Sequence, residues 1–446
     1  MKQRTLVAVP QETAVPEPAE SGPAAPPRLC RPERHQMEWR PMELDALVPE
    51  DHWVRAVWAY VEGLDLGPLY ERIKAVEGHA GRPPIDPRVL LALWLQATLD
   101  GIGSARRLDE LSEHHAVYQW IRGGVSVNYH TLADFRAGHA ELLDALLTRS
   151  VGTLMHQGLV RLERVAQDGL RVRGSAGLSS FRKRAKLEAC LGEAREQVER
   201  LRRELDEDPA KGSRRERAAR ERAVREREER VRRALEEQAQ LAAGREGRKK
   251  GSGERARAST TDPEARVMKM PDGGCRPGYN VQLATDTGTQ VIVGVDVTNV
   301  GSDGGQLAPM VEQIEDRHGE RPEAMLADGS YATHEDIEAV SGEGKTLVYA
   351  PVKAPRNADQ DPHAPRRWDT AAVAEWRVRM GTPEAKAIYR ERAATAECVN
   401  AIARTRGLRQ VLVRGLRKVR AVVLWYALAH NLRRLFALAP AALGLG

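Results

Sequence analysis

An α/β fold is predicted by three features of the chain. Short β-like runs separated by helical segments recur after residue 160, a purely helical pattern fills about 45 to 160, and a charged, heptad-patterned stretch lies between 178 and 257. The expected architecture is a mixed sheet flanked by helices, preceded by an all-α N-terminal domain and interrupted by a charged helical hairpin of coiled-coil type. The boundaries that follow are a disordered tail over 1–35, a helical domain over 36–160, a sheet-bearing core assembled from 161–177 and 258–437, the hairpin insertion over 178–257, and a tail over 438–446. A chain of 446 residues has room for two or three such units.

Order should begin near Trp39, after a Pro- and charge-rich start with little periodicity. Asp86-Pro87 reads as an N-cap and first-turn proline for the apolar helix carrying Val89, Leu90, Leu91, Leu93, Trp94 and Leu95, which stops at Gly101-Ile102-Gly103. Ser104 caps a second helix. The pair resembles a helix-turn-helix in which Arg106 and Arg107 would meet DNA phosphates, although a plain helical hairpin with solvated arginines has the same pattern. Thr131 with Asp134 suggests a further capped start, leading into Phe135, Leu142, Leu143, Leu146, Leu147, Val151 and Leu154.

A β-like stretch from Leu162 then ends at Asp168. In the insertion, Leu187, Leu191, Ala194, Val198, Leu201 and Leu205 step by four and three alternately, Asp208–Ser213 breaks the pattern, and a second helix runs to about Ala243 with weaker heptads at Val224, Val231 and Leu235. Strand signals resume at Tyr279–Thr285 and Gln290–Val297 with a hairpin turn at Asp286-Thr-Gly-Thr. A helix over about Gln306–Arg317, a strand ending at Asp328, a strand over Thr346–Ala350, a Pro- and Asn-rich loop over 351–366 and helices over 370–437 complete the chain. Strand, hairpin strand, helix, strand, strand, helix is the order of an RNase H-like mixed sheet, with the helical insertion separating the first strand from the hairpin.

The 69 basic and 63 acidic residues give a net charge of +6, which favours a polyanionic partner without proving one. Between Arg182 and Arg257 stand 25 basic and 17 acidic residues, so this stretch alone carries +8 and exceeds the balance of the whole chain. Its faces are read as solvated, with dimerisation, spacing or DNA contact as their uses. Cys30, Cys190, Cys275 and Cys398 show no Cys-x-x-Cys spacing, which implies a reduced compartment and no zinc knuckle. No apolar run approaches a membrane span and no signal-peptide core is visible, so a cytoplasmic protein is expected.

Three acids carry the chemistry. Asp168 and Asp328 each end a β-like run and are followed by Gly, and Glu397 lies in a helical pattern that begins at Tyr389. Two strand aspartates and a helix glutamate are suited to hold a pair of Mg²⁺ ions for phosphodiester chemistry. Asp-Gly is also the commonest turn dipeptide, so each aspartate alone reads first as a turn. Asp286, Asp296, Asp303 and Asp336 sit where caps and turns explain them, with Asp296 the first substitute should one aspartate be misassigned. His114, His115 and His334 have no partner spacing and are read as structural.

Tyr389-x2-Arg392-x4-Glu397-x6-Arg404 resembles the Tyr-Arg-Glu-Lys signature of bacterial insertion-sequence DDE transposases, which usually has three residues between Arg and Glu. The longer spacing is similar to one subgroup. Arg406-Gly-Leu-Arg409, Arg414–Arg420, Ala429–Leu435, Asp262–Met268, Gly278-Tyr-Asn280, Gly81–Pro87 and His130–Arg136 are similar as well, so the likeness runs from about 36 to 437. The resemblance implies metal-dependent cleavage at transposon ends and strand transfer into target DNA, with Asp168, Asp328 and Glu397 holding two Mg²⁺ ions, or Mn²⁺ in their place. It implies DNA contact by Tyr389, Arg392 and Arg404, the last an Arg where the signature has Lys, which keeps the charge but changes the donor geometry. It further implies double-stranded DNA partners (terminal inverted repeats and target), a homodimer on DNA, no membrane, and association with the nucleoid when bound. Two other readings stand beside it: a catalytically inactive DNA-binding derivative, and a structure-specific nuclease without strand transfer.

Overall fold

Helices α1 (Trp53–Glu62), α2 (Gly67–Tyr70), α3 (Pro87–Leu99), α4 (Ala105–His114), α5 (Ala116–Arg122), α6 (Tyr129–Gly138) and α7 (Ala140–His156) precede the first strand. Asp86 caps α3 by accepting from the Arg88 N–H at 2.8 Å, and Pro87 occupies the first turn, where no N–H is needed. Almost all of α3 is buried. Trp94 is enclosed and donates its indole N–H to the Leu132 carbonyl at 2.9 Å. Gly101, at φ +73°, turns the chain toward Ser104, whose hydroxyl caps α4. The next cap differs from expectation. Asn128, not Thr131, accepts the Thr131 N–H at 3.0 Å, and a break at His139 divides the amphipathic run into α6 and α7.

The computed structural model describes residues 37, 41–75, 83–207, 213–342, 346–355 and 359–439. The expected 1–35 tail, the start at Trp39, Gly81-Arg82 of the N-terminal motif, most of the Asp208–Ser213 break and nearly all of the 438–446 tail lie outside these residues. The described residues from Glu43 onward form one body.

Strands β1 (Arg164–Arg173), β2 (Phe181–Arg182), β3 (Ala258–Ser259), β4 (Arg266–Lys269), β5 (Cys275–Asp286), β6 (Ile292–Thr298), β7 (Ala324–Leu326) and β8 (Leu347–Tyr349) are separated by α8 (Arg184–Glu207) and α9 (Arg214–Arg248) after β2, α10 (Leu307–His318) after β6, and α11 (His334–Ser341) after β7. The main sheet has the order β4-β5-β1-β7-β8, with β6 also on β5. β5 runs antiparallel to β1, β4 and β6, and β7 runs parallel to β1 and β8. This is the RNase H-like mixed sheet flanked by helices, and the hairpin leaves it between β1 and β4 through the small β2–β3 pair.

In the hairpin, Leu187, Ala194, Val198 and Leu201 of α8 are buried, as are Val231 and Ala234 of α9. Arg227 reaches Gln197 at 2.7 Å and Arg220 reaches Glu204 at 3.0 Å, the descending order of antiparallel helices. α9 opens on a capping box of Ser213 and Glu216 and continues to Arg248, past the expected end.

After β8 come α12 (Ala371–Gly381), α13 (Pro383–Arg392), a π-helical segment (Ala393–Glu397), α14 (Cys398–Thr405) and α15 (Leu416–Leu438). The expected helical run is therefore broken at 406–415, where Val411 N donates to Arg173 O and Arg173 N to Arg409 O, both at 2.9 Å, along the free edge of β1. α15 is buried from Ala421 to Leu432 and joins the two halves of the core. Trp425 donates to the Arg136 carbonyl at 3.0 Å, and the Asn431 amide closes on both the N–H and the carbonyl of Ile292 at 2.8 Å.

Candidate active site

Asp168 does not end its strand, as the sequence suggests; it lies in the middle of β1, which continues through Gly169 to Arg173. Gly169 is required by a close approach and not by a turn. A Cβ there would stand 2.5 Å from Asp303 Oδ1, 3.0 Å from Asn280 Oδ1 and 3.1 Å from Gln282 Nε2. Asp328 follows the end of β7, as expected. Ala166 pairs with Leu326 across the parallel β1–β7 ladder, so the two aspartates each lie two residues beyond the same rung, Asp168 within β1 and Asp328 just past the end of β7.

Helical residues approach Asp168 from α13, the π-helical segment and α14. Arg392 Nη2 lies 3.0 Å from Asp168 Oδ1 and Arg392 Nη1 lies 2.7 Å from Glu397 Oε1, so one guanidinium bridges the strand acid and the helix acid. In a continuous α-helix residues five apart point well away from each other; the wider π-turn brings Arg392 and Glu397 back onto one side. The four residues between Arg392 and Glu397 lie in this turn. Gln290 Nε2 supports it from the β5–β6 turn by donating to the Ala394 carbonyl at 3.0 Å.

Burial raises the Asp168 carboxyl above the usual range, against the opposing pull of Arg392, Asn400 and the Gly169 N–H. Burial alone would lower the Arg392 guanidinium, but the carboxylates of Asp168, Glu397 and Asp328, with the Tyr389 phenol beside them, outweigh it and hold Arg392 above its ordinary value. All three acids thus act on one cation. Tyr389, half-buried one turn before Arg392, is raised by burial and by Asp328 and Glu397. As the side chains stand, no three acidic, His or Cys groups among the described residues are close enough to hold one metal ion. The carboxylates are the all-oxygen set that Mg²⁺ or Mn²⁺ takes, and the Arg392 guanidinium lies between two of them.

Asn400 escapes a reading of the sequence. Its Nδ2 donates to Asp168 Oδ2 at 2.9 Å, and its Oδ1 is buried without a partner among the described residues. The available signal was its position three residues after Glu397, between the apolar Val399 and Ala403. Also missed was the buried polar group on the other face of β1. Asp303 Oδ1 accepts from Asn280 at 2.7 Å and Gln282 at 3.1 Å, its Oδ2 accepts from Arg171 at 3.0 Å, and Tyr331 donates to Gln282 at 2.5 Å. Gly169→Ala is expected to cost roughly 1–3 kcal/mol through overpacking of this group, read as a lowered unfolding midpoint; an unchanged midpoint would show that the polar group yields freely.

The other candidates lie elsewhere. Arg404 lines a groove with Arg171, Arg173 and Arg409. On α4, Arg107 pairs with Glu110 at 2.8 Å and Arg106 lies over the Tyr129 ring at 5.2 Å, both exposed. Asp296 faces Arg420 at 3.9 Å in a charged pocket with Glu141, Asp144 and Arg417, away from the three acids. Asp286 receives the N–H and hydroxyl of Thr289, and Asp336 receives the N–H groups of Gly305 and Ala308. His334 packs against Arg377 at 3.1 Å. Cys190, Cys275 and Cys398 are free thiols, and among the described residues no helix is long and apolar enough to cross a membrane.

Comparison with known families returns two matches. A family model described as Transposase DDE domain matches residues 250–432, and one described as Transposase domain (DUF772) matches 42–138. Together they take in more than half of the chain. Asp328 and Glu397 fall within the first match, whereas Asp168 lies with most of the charged hairpin in the segment between the two. No curated protein and no solved structure matches the chain.

Proposed function

This chain belongs to the insertion-sequence DDE transposases, and on that basis we propose that it cuts DNA at the ends of its element and joins the freed ends to target DNA by a two-metal mechanism. Transposases of this kind act on DNA and use divalent metal ions. The observation that carries the finer reading is the Arg392 guanidinium held between Asp168 and Glu397, with the charge of Asp328 acting on it as well.

Asp168, Asp328 and Glu397 are the groups that would hold the ions. Two Mg²⁺ ions, or Mn²⁺, would align the attacking oxygen with the phosphodiester and neutralise the departing one. Asn400 fixes the rotamer of Asp168 by donating to its Oδ2, leaving Oδ1 toward Arg392. Arg392 keeps the acids from repelling one another when no ion is bound, and Tyr389 and Arg392 lie beside the place where a DNA strand must pass. Arg106 and Arg107, exposed on α4, would meet DNA phosphates. A dimer on DNA follows from the need to hold two element ends together.

The test is an assay with the full chain, Mg²⁺ or Mn²⁺, and DNA carrying the inverted repeats that flank its reading frame. Metal-dependent nicking at the repeat ends and joined strand-transfer products are expected, and chelation should abolish both. Nicking without joined products would favour a nuclease, and binding without either would favour an inactive derivative.

A further inference from the structure

One strongly basic surface remains outside the carboxylate site. Arg171 and Arg173 at the end of β1, Arg404 at the end of α14 and Arg409 in the segment after it line one groove, and the acid that lines it is Asp272, leaving a net charge of +3. The arginines are held by the fold. The Arg173 and Arg409 backbones are hydrogen-bonded along the β1 edge, Arg409 Nε donates to the Arg404 carbonyl at 2.9 Å, and Arg171 is braced by Asp303 and the Gly301 carbonyl at 3.0 Å. Arg404 Nε is buried without a partner, and among the described residues no carboxylate pairs with Arg404 or Arg409. Asp272, at the tip of the β4–β5 turn, pairs with Arg173 and lies 3.8 Å from Arg276. Both members of the Arg173–Asp272 pair are about half exposed, so water screens the pair and a second anion can reach Arg173.

We propose that this groove binds a backbone phosphate of DNA, and that the Asp272 carboxylate occupies Arg173 until DNA displaces it. Fixed, planar guanidinium groups with spare donors match phosphate oxygens, and with Asp303 on Arg171 and Asp272 on Arg173 the charges of Arg404 and Arg409 stay uncompensated. The inference rests on the DNA-acting reading above and adds to it Arg171, Arg173, Arg409 and the competing Asp272.

The test is fluorescence anisotropy of a labelled duplex of ~30 base pairs with the full chain, titrated from ~50 to ~200 mM NaCl. Arg173→Gln and Arg409→Gln should each weaken binding on the order of five- to tenfold near 0.1 M salt and reduce the slope of log K against log salt by about one. Asp272→Asn should tighten binding severalfold, and less so in an Arg173→Gln background. Wild-type affinity and slope in both arginine variants, with unfolding midpoints unchanged, would overturn the proposal, as would an Asp272→Asn variant that binds no tighter. These slopes do not depend on cleavage, so failure of the two-metal reading would leave them standing, and flat slopes with cleavage intact would remove the groove alone.

Discussion

Asp168→Asn is expected to lower metal-dependent cleavage on the order of 10³-fold or more, about 4 kcal/mol of transition-state stabilisation, while DNA affinity and the unfolding midpoint change little. The fold should tolerate the change because burial already disfavours the Asp168 charge, and the amide keeps one oxygen for the Gly169 N–H and Arg392. Its new NH₂ group faces Asn400, which can rotate its unpartnered Oδ1 into place. Arg392 retains Glu397 at 2.7 Å. The loss therefore falls on the negative oxygen offered to an ion. Asp328→Asn and Glu397→Gln should behave alike, and Asp296→Asn, in the pocket beside Arg420, should cleave normally. Cleavage retained by any of the first three removes that residue from the site; cleavage lost in Asp296→Asn would move the site.

The β5–β6 hairpin was legible because β6 carries the β-branched run Ile292, Val293, Val295, Val297 and Thr298, and the Asp286–Thr289 turn reads from local chemistry. β4 was not, since of its four residues only Met268 is buried and two are basic. Asp168-Gly169 looked like a strand end because the reason for Gly169 lies 134 residues downstream, in Asp303, and no local window contains it. Similarly, Ala393–Ala396 has good α-helical propensity, and what accompanies its π-turn is tertiary: Arg392 pairing with β1 and Gln290 holding the Ala394 carbonyl. Asp168, Asp328 and Glu397 could be put forward from type and spacing; Arg392 between Asp168 and Glu397, and Asn400 behind Asp168, required the fold.

That central arginine is the shared counter-charge of two of the acids. Arg392→Gln leaves Asp168, with about a fifth of its side chain exposed, and Glu397 without their shared counter-charge. Breaking a fully buried pair costs about 3–5 kcal/mol, and the exposure of Glu397 reduces the expected loss here to roughly 1–3 kcal/mol, a fall of a few degrees in the unfolding midpoint measured in chelator. Mg²⁺ should then raise the midpoint of the variant more than that of the wild-type protein, because in the wild type an ion must compete with the guanidinium for the same carboxylates. Arg392→Lys should fall between the two, since an ammonium keeps the charge but cannot span both acids with a planar fork. Equal Mg²⁺-induced shifts in all three proteins would mean that Arg392 and the ion do not share a place, and that the acids turn toward their metals from some other arrangement.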